Sequence, residues 1–238
     1  MLEIKSTSAK REQFEQWLTG FWEGDGNCRA YVNNQGYYVP SVSIVQKDAD
    51  MLKYIRDQLG FGKVYQINDV HQLDVRKQEQ FAYMLELLCK YLVSEQSADK
   101  VNKTFEKFNL SVRAEQHKPS MPWIVGFSDA EGCITWNGYG ALQMQIAQNG
   151  SDVLEDIKSF VGGNLTRGHT TYKGEKRYNY RLQLYGESLR NFIPSVLKYS
   201  CYVQKCSELI TKIHVLALDG GYIWSKWAKE LLAQEGGE

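Results

Sequence analysis

The sequence predicts an α+β fold of two pseudo-symmetric α-β-β-α-β-β-α repeats packed together through a pair of helices. Three observations lead to it. WLTGFWEGDG, ending at Gly26, returns as WIVGFSDAEG, ending at Gly132, and a shift of 106 residues superposes Trp17 on Trp123, Gly20 on Gly126 and Phe21 on Phe127. Further on, VQKDADMLKYIRDQLGFG aligns with AQNGSDVLEDIKSFVGG at a shift of 102, matching Gln46 with Gln148, Asp50 with Asp152 and Leu52 with Leu154. Around these landmarks, polar and apolar residues alternate with the period of two that marks strands. Two similarities in the same order, separated by a change of offset that a turn can absorb, indicate a duplicated unit.

Each unit opens on a helix, over residues 11–25 and 120–131. Alternating strands follow: NCRAYV turns at NNQG into YYVPSVSIVQ, and CITWNGYGALQMQIAQ does the same in the second unit. An amphipathic helix comes next, near 48–59 and 151–161, with Asp48 or Ser151 placed to cap it. GKVYQINDVHQLDVRK and NLTRGHTTYKGEKRYNYRLQLY then read as a second hairpin, and QEQFAYMLELLCKYL and SLRNFIPSVLKY as closing helices. EKFNLSVRAEQHKPS, with Pro119 and Pro122 breaking helix at its end, reads as a linker. The expected division is a first repeat over 1–105, a linker over 106–120, and a second repeat with C-terminal helices over 121–238.

At 238 residues the chain is long enough to bury a sizeable interior. No apolar run approaches a membrane span of about 18 residues, and MLEIKSTSAKREQ has no apolar stretch resembling a secretory signal. The expected location is therefore intracellular, with no membrane partner. Five cysteines without a CxxC spacing or a histidine at zinc spacing read as buried thiols in a reducing compartment. Lys+Arg and Asp+Glu both number 28, so the net charge is zero; this weighs mildly against a nucleic-acid binder unless the cations gather on one face.

The doubled motif carries small residues one helical turn apart, Gly20 with Gly24 and Gly126 with Ala130. Such spacing lets two helix backbones approach closely. Packed about a pseudo-twofold axis, the helices would bring Asp25 and Glu131 side by side at their C-terminal ends. There the helix dipole is already negative, so paired carboxylates are unfavourable unless a cation neutralises them. Hard divalent cations take oxygen ligands, and carboxylates that hold them are common machinery for water attack on phosphodiesters.

LTGFWEGDG and IVGFSDAEG resemble the paired signature of LAGLIDADG homing endonucleases in their single-chain, two-repeat form. The resemblance covers nearly the whole chain, because the family shares the element order read above. It implies that Asp25 and Glu131 are metal-binding catalytic carboxylates, with the carbonyls of Gly24 and Ala130 as further metal ligands. It also implies that Gln46 and Gln148 order water near the metals and that Lys205 lies near the scissile phosphate. The corresponding region of the first repeat, LVSEQSA, offers Gln96 instead of a lysine. Glu23 and Asp129 also occupy acidic motif positions, and read as polar contacts at the helix ends.

Alternation sorts each strand into two faces. The face opposite the apolar one carries Arg29, Tyr31, Asn33, Tyr37, Ser41 and Ser43, then Lys63, Tyr65, Gln72, Asp74 and Arg76. The second repeat supplies Thr135, Asn137, Gln143, Gln145, Thr166, Arg167, Arg177, Asn179, Arg181 and Gln183. Arg, Asn and Gln pair with base edges, so these are the expected DNA-binding residues. Asp74 is read either as an acceptor from cytosine or as the holder of a neighbouring arginine. Over 163–185 Arg167, Lys173, Lys176, Arg177 and Arg181 face Glu175 alone, a local excess of positive charge.

Two such sheets would form a DNA-binding saddle following the major groove of a long asymmetric duplex target. The implied activity is a monomeric, Mg²⁺-dependent double-strand endonuclease, with Ca²⁺ supporting binding but little cleavage. The alternatives are an RNA-binding intron maturase, whose partner would be intron RNA, and a DNA-binding regulator without cleavage.

Overall fold

Helix α1 (Ser8–Asp25) runs directly into β1 (Gly26–Val32) with no intervening loop, and α5 (Met121–Glu131) runs the same way into β5 (Gly132–Trp136). The computed structural model describes residues 8–108, 113–172, 175–219 and 221–235. In the first repeat β2 (Tyr38–Gln46), α2 (Ala49–Leu59), β3 (Lys63–Ile67), β4 (Val70–Val75), α3 (Gln78–Cys89) and α4 (Glu95–Lys107) follow β1. After β5 the second repeat continues as β6 (Leu142–Gln148), α6 (Asp152–Val161), β7 (Asn164–Tyr172), β8 (Glu175–Tyr185), α7 (Gly186–Tyr199), α8 (Val203–Asp219) and α9 (Tyr222–Glu235). The antiparallel sheets have equivalent strand orders, β1-β2-β4-β3 and β5-β6-β8-β7. Gly26 pairs with Ile44 and Gly132 with Ile146, so both motif helices enter their sheets at the same register.

The local signals act as their chemistry dictates, with one exception. Asp48 accepts the backbone N–H groups of Asp50 and Met51 at the start of α2, and Gly60 (φ 78°) ends that helix in a left-handed conformation that suits glycine. Ser151, expected to play the same part for α6, makes no side-chain capping bond. Both β1-β2 and β5-β6 hairpins are closed by an asparagine: Asn33 Oδ1 accepts the N–H groups of Gln35 and Tyr37, and Asn137 Oδ1 those of Tyr139 and Ala141. This is a further repeat match at an offset between the two found above. Helix α4 has no counterpart among the expected elements. Its apolar residues are sparse, with Ala98, Val101 and Phe105 forming its buried stripe, and it depends on packing and on the Ser94 cap.

Each sheet is covered by helices on its apolar face, where Val42, Ile44 and Leu73 of one repeat and Leu142, Met144, Ile146, Leu182 and Leu184 of the other are buried. Between the repeats α1 and α5 pack on one another with little but backbone between them. A Cβ placed on Gly20 would overlap the Trp123 carbonyl oxygen and lie 2.9 Å from the Phe127 nitrogen. One placed on Gly126 would overlap the Trp17 carbonyl oxygen. Beside this crossing Trp17 stacks on Phe21 at 5.0 Å and Trp123 on Phe127 at 5.1 Å. The reciprocity of these contacts is the pseudo-twofold axis. Thiol burial is less uniform than expected: Cys28 is buried, Cys89, Cys201 and Cys206 are partly so, and Cys133 is exposed. Among the described residues no helix is long and apolar enough to cross a membrane.

Candidate active site and nucleic-acid interface

The close helix crossing sets the position of the two carboxylates. Gly24 faces Ala130 across the pair, and a Cβ added to Gly24 would stand 3.0 Å from Glu131 Cγ. Asp25 and Glu131 therefore meet where both helices end. Burial first, and then the Glu131 charge, raise the Asp25 carboxyl to about 7. Glu131 is also raised, chiefly by burial, against a hydrogen bond with Gln148 and the charge of Lys205. The Gln46 side-chain amide donates to Asp25 Oδ2. Each carboxylate thus has the glutamine that ends the second strand of its own repeat. Among the described residues no group of three or more His, Cys, Asp or Glu side chains is placed to hold a metal ion. The carboxylate pair by itself supplies a hard, oxygen-only donor set, suited to a divalent cation whose other ligands are carbonyls, water or phosphate.

The other two motif acids, Asp129 buried and Glu23 partly buried, are bonded across the axis. The Trp17 indole donates to Asp129 Oδ2 at 2.8 Å, and the Trp123 indole to Glu23 Oε2 at 2.8 Å. Glu23 also accepts the backbone N–H groups of Val93 and Ser94 at the entry to α4, while Asp129 accepts the Ser200 hydroxyl before α8. Burial raises Glu23 to about 7 and Asp129 to about 6, against these bonds. Both acids were expected at helix ends, but their tryptophan partners were not. No local pattern announces a bond spanning a hundred residues, although the doubled Trp at the start of each motif was visible.

Lys205 Nζ donates to the Asp129 carbonyl and, at 3.0 Å, to the Gly132 carbonyl, where the last turn of α5 leaves acceptors open. Burial lowers its pKa, against the charges of Asp129 and Asp25. The backbone carbonyls of Ser94 and Tyr202, just before α4 and α8, accept the N–H groups of Ala98 and Cys206; counted from these helix starts, Lys205 corresponds to Ser97, the residue after Gln96. Ser97 is buried and hydrogen-bonds Glu23. Gln96 lines a cleft with Gln148, Asp152 and Asp156.

The elevated carboxyls make the stability of the metal-free protein pH-dependent. Folded values near 6–7 exceed ordinary carboxyl values of about 4, so between those limits the native state binds more protons than the unfolded one. Stability is therefore greatest below the ordinary values and is lost as pH rises through the folded ones. Thermal melting of metal-free protein is expected to shift upward as pH falls from 7.5 to 5.5, and Asp25→Asn is expected to flatten that slope. A melting temperature that falls over this range would contradict the assignment.

Residues directly opposite in an antiparallel ladder share a face, and the register places most expected DNA contacts on the helix-free face. Arg29, Tyr31, Ser41, Ser43, Lys63, Tyr65, Gln72 and Asp74 share it in the first sheet. Thr135, Gln143, Gln145, Thr166, Asn179, Arg181 and Gln183 share it in the second. Arg167 is the exception. It pairs with Tyr180 on the face of Leu165 and Leu182, and its guanidinium lies 3.7 Å from the centre of the Tyr178 ring. The count of cations along this hairpin did not separate its two faces. Ser41, Ser43, Gln72 and Asp74 lie on the expected face but are buried. Period-two alternation gives direction, not what neighbouring side chains cover. The Oδ1 atoms of Asn33 and Asn137 are occupied by their hairpin turns, while Tyr37 at the end of the first turn is exposed. Lys173 and the side chains of Lys176 and Arg177 lie outside the described residues.

The sequence matches no family model. It is 25% identical over 236 residues to a probable intron-encoded endonuclease 4 of Neurospora crassa, covering 88% of this chain and 41% of that one. The chain thus spans about two-fifths of the length of that curated relative. Among solved structures, a lysine double mutant of I-SmaMI superposes with a TM-score of 0.66 at 18% identity, covering 94% of this chain and 98% of that one. The same protein bound to an uncleaved DNA target in the presence of calcium ions gives 0.59 at 16% identity, with the same coverage. The LAGLIDADG meganuclease I-CpaMI bound to uncleaved DNA gives 0.63 at 15% identity, again over 94% and 98% of the two chains.

Proposed function

We propose that this chain, which has the two-repeat fold of the LAGLIDADG meganucleases, is a site-specific, metal-dependent endonuclease that cuts both strands of a long DNA target. The observation that carries the proposal is the meeting of Asp25 and Glu131 at the joint end of the motif helices, between two sheets with polar faces. Intron-encoded origin is proposed on the name of the Neurospora relative, and a DNA target on the DNA-bound neighbours. The expected repeat and linker boundaries, 1–105, 106–120 and 121–238, and a monomeric state belong to the same proposal.

Asp25 and Glu131, with the carbonyls of Gly24 and Ala130, would hold divalent cations, proposed to be Mg²⁺. Such cations would supply Lewis acidity toward water and the phosphodiester. Gln46 and Gln148, bonded to the carboxylates, leave side-chain acceptors to orient water. The helix-free sheet faces hold the duplex in register. Incubation of a DNA library bearing candidate intron-insertion sequences with Mg²⁺ tests this reading. Double-strand breaks at one sequence support it, as does binding without breaks when Ca²⁺ replaces Mg²⁺. Specific binding with no cleavage in Mg²⁺ would leave a regulator, and selection of structured RNA over duplex DNA a maturase.

Unequal cutting of the two strands is a further expectation. Lys205 offers an ammonium beside the second carboxylate, and its counterpart Ser97 offers none. Removing one preorganised donor typically costs ~10²–10³ in rate. Lys205→Gln is expected to slow one strand selectively by about that factor, read with each strand labelled separately. Equal slowing of both strands, or none, would remove Lys205 from this role.

A further inference from the structure

We infer that Arg76 is a fixed reader of a single guanine in one half of the target, and that Asp74 acts as its positioning residue. The inference rests on the DNA-binding reading above, and it concerns one base pair. Arg76 follows β4 on the helix-free face of the first sheet, and its side chain is 49% exposed beside a carboxylate that is 3% exposed. Asp74 is fully engaged. Ser41 Oγ donates to its Oδ1 at 2.8 Å, while the Tyr65 hydroxyl, at 2.9 Å, and Arg76 Nε both donate to its Oδ2. Arg76 Nη2 also donates to the Tyr65 oxygen at 3.3 Å, and the guanidinium lies 5.5 Å from the centre of the Tyr31 ring, within cation–π range.

These contacts occupy one side of the guanidinium and leave another open. Arginine has five N–H groups in a rigid plane. The side-on pair, Nε and one Nη2 hydrogen, is taken by Asp74 and Tyr65. The end-on pair, one hydrogen each on Nη1 and Nη2, has no partner among the described residues. Arg76 also lines a cavity of about 530 Å³ together with Lys63, Lys77 and Gln80. Two parallel donors match the O6 and N7 acceptors of guanine in the major groove, whereas adenine presents one acceptor and one donor there. Asp74 is thus neither free to accept from cytosine nor spare charge. It sets the plane and direction of the fork, and an unheld arginine would lose conformational entropy on reading the same base.

The second repeat has no such device. Matching registers put Gln143, Gln183, Thr166 and Tyr185 where the first sheet has Ser41, Asp74, Tyr65 and Arg76. The guanine requirement therefore belongs to one half-site only. Gln46 at the catalytic centre lies five steps along β2 from Ser41, beside Arg76, roughly 17 Å at strand rise, or roughly five base-pair steps.

The test is selection of bound duplexes from a randomised library in Ca²⁺, with wild type, Arg76→Lys, Arg76→Gln and Asp74→Asn. Thermal melting confirms that each variant is folded. Wild type is expected to select guanine at one off-centre position, by roughly tenfold to a hundredfold over other bases. Arg76→Lys keeps the charge without the fork and should lose that preference alone, with the rest of the consensus intact. Arg76→Gln should move the preference toward adenine. Asp74→Asn should reduce it severalfold while leaving Arg76 in place. A wild-type consensus left unchanged in both Arg76 variants would overturn the inference and spare the proposed function. Failure of the wild type to select any duplex sequence would overturn both.

Discussion

Asp25→Asn is expected to abolish double-strand cleavage, by at least ~10²–10³-fold, while raising the thermal stability of the metal-free protein at pH 7.5. The two effects share one cause. Asp25 is held away from water beside Glu131, and each disfavours the ionised form of the other site. An amide of the same shape removes one charge and still accepts the Gln46 donor. It therefore relieves the apo protein and removes a ligand charge that a divalent cation requires. Specific DNA binding should survive, because the sheet faces are built from other residues. Cleavage assays, melting curves and filter binding on one preparation separate these outcomes. Wild-type cleavage by this variant would remove Asp25 from the catalytic centre. Loss of cleavage with a lowered melting temperature would make the residue structural.

Gly126→Leu is expected to have the largest effect on folding, a loss of about 4 kcal/mol or more that leaves little native protein at ambient temperature. Gly126 has no positive φ to maintain, so the constraint is space. A single added carbon already overlaps the Trp17 carbonyl oxygen, part of a helix backbone that cannot rotate aside. The helices would have to separate, breaking the Trp17–Asp129 and Trp123–Glu23 bonds that cross the axis. Gly20→Leu should behave alike, because it meets the Trp123 carbonyl reciprocally. Gly24→Ala should be milder, since its first obstacle is the Ala130 methyl. Urea unfolding of the three variants gives the ranking. Equal, small losses in all three would mean that the repeats are not held together at this crossing.

The motif couples helix packing to the position of its two terminal carboxylates. Separating the helices to make room at Gly20 or Gly126 would pull Asp25 away from Glu131, because the same two backbones carry both. Helix packing and the geometry of the carboxylate pair are thus set by one contact. The tryptophan–carboxylate bonds add a second fixed point on each side of the axis. They also link each motif helix to the start of α4 or α8, the elements that bear Ser97 and Lys205.

What the sequence determined by itself was everything carried by short-range pattern. The duplicated motif, the α-β-β-α-β-β-α succession of elements, the small residues at the crossing and the face assigned to Arg29, Gln145 or Arg181 follow from periodicity and spacing, which chain geometry converts directly into direction. What only the tertiary structure decided depends on groups far apart in the chain. Trp17 reaching Asp129, Lys205 bonding the end of α5, and Ser41 with Asp74 buried beneath an engaged arginine are contacts between elements. Helix α4 belongs to the same class, since its sparse apolar stripe gains stability only from the surface on which it packs. Alternation tells which way a side chain points. Whether it meets solvent, a neighbour or a partner's charge is settled by burial and desolvation, which arise only once elements distant in the chain have packed together.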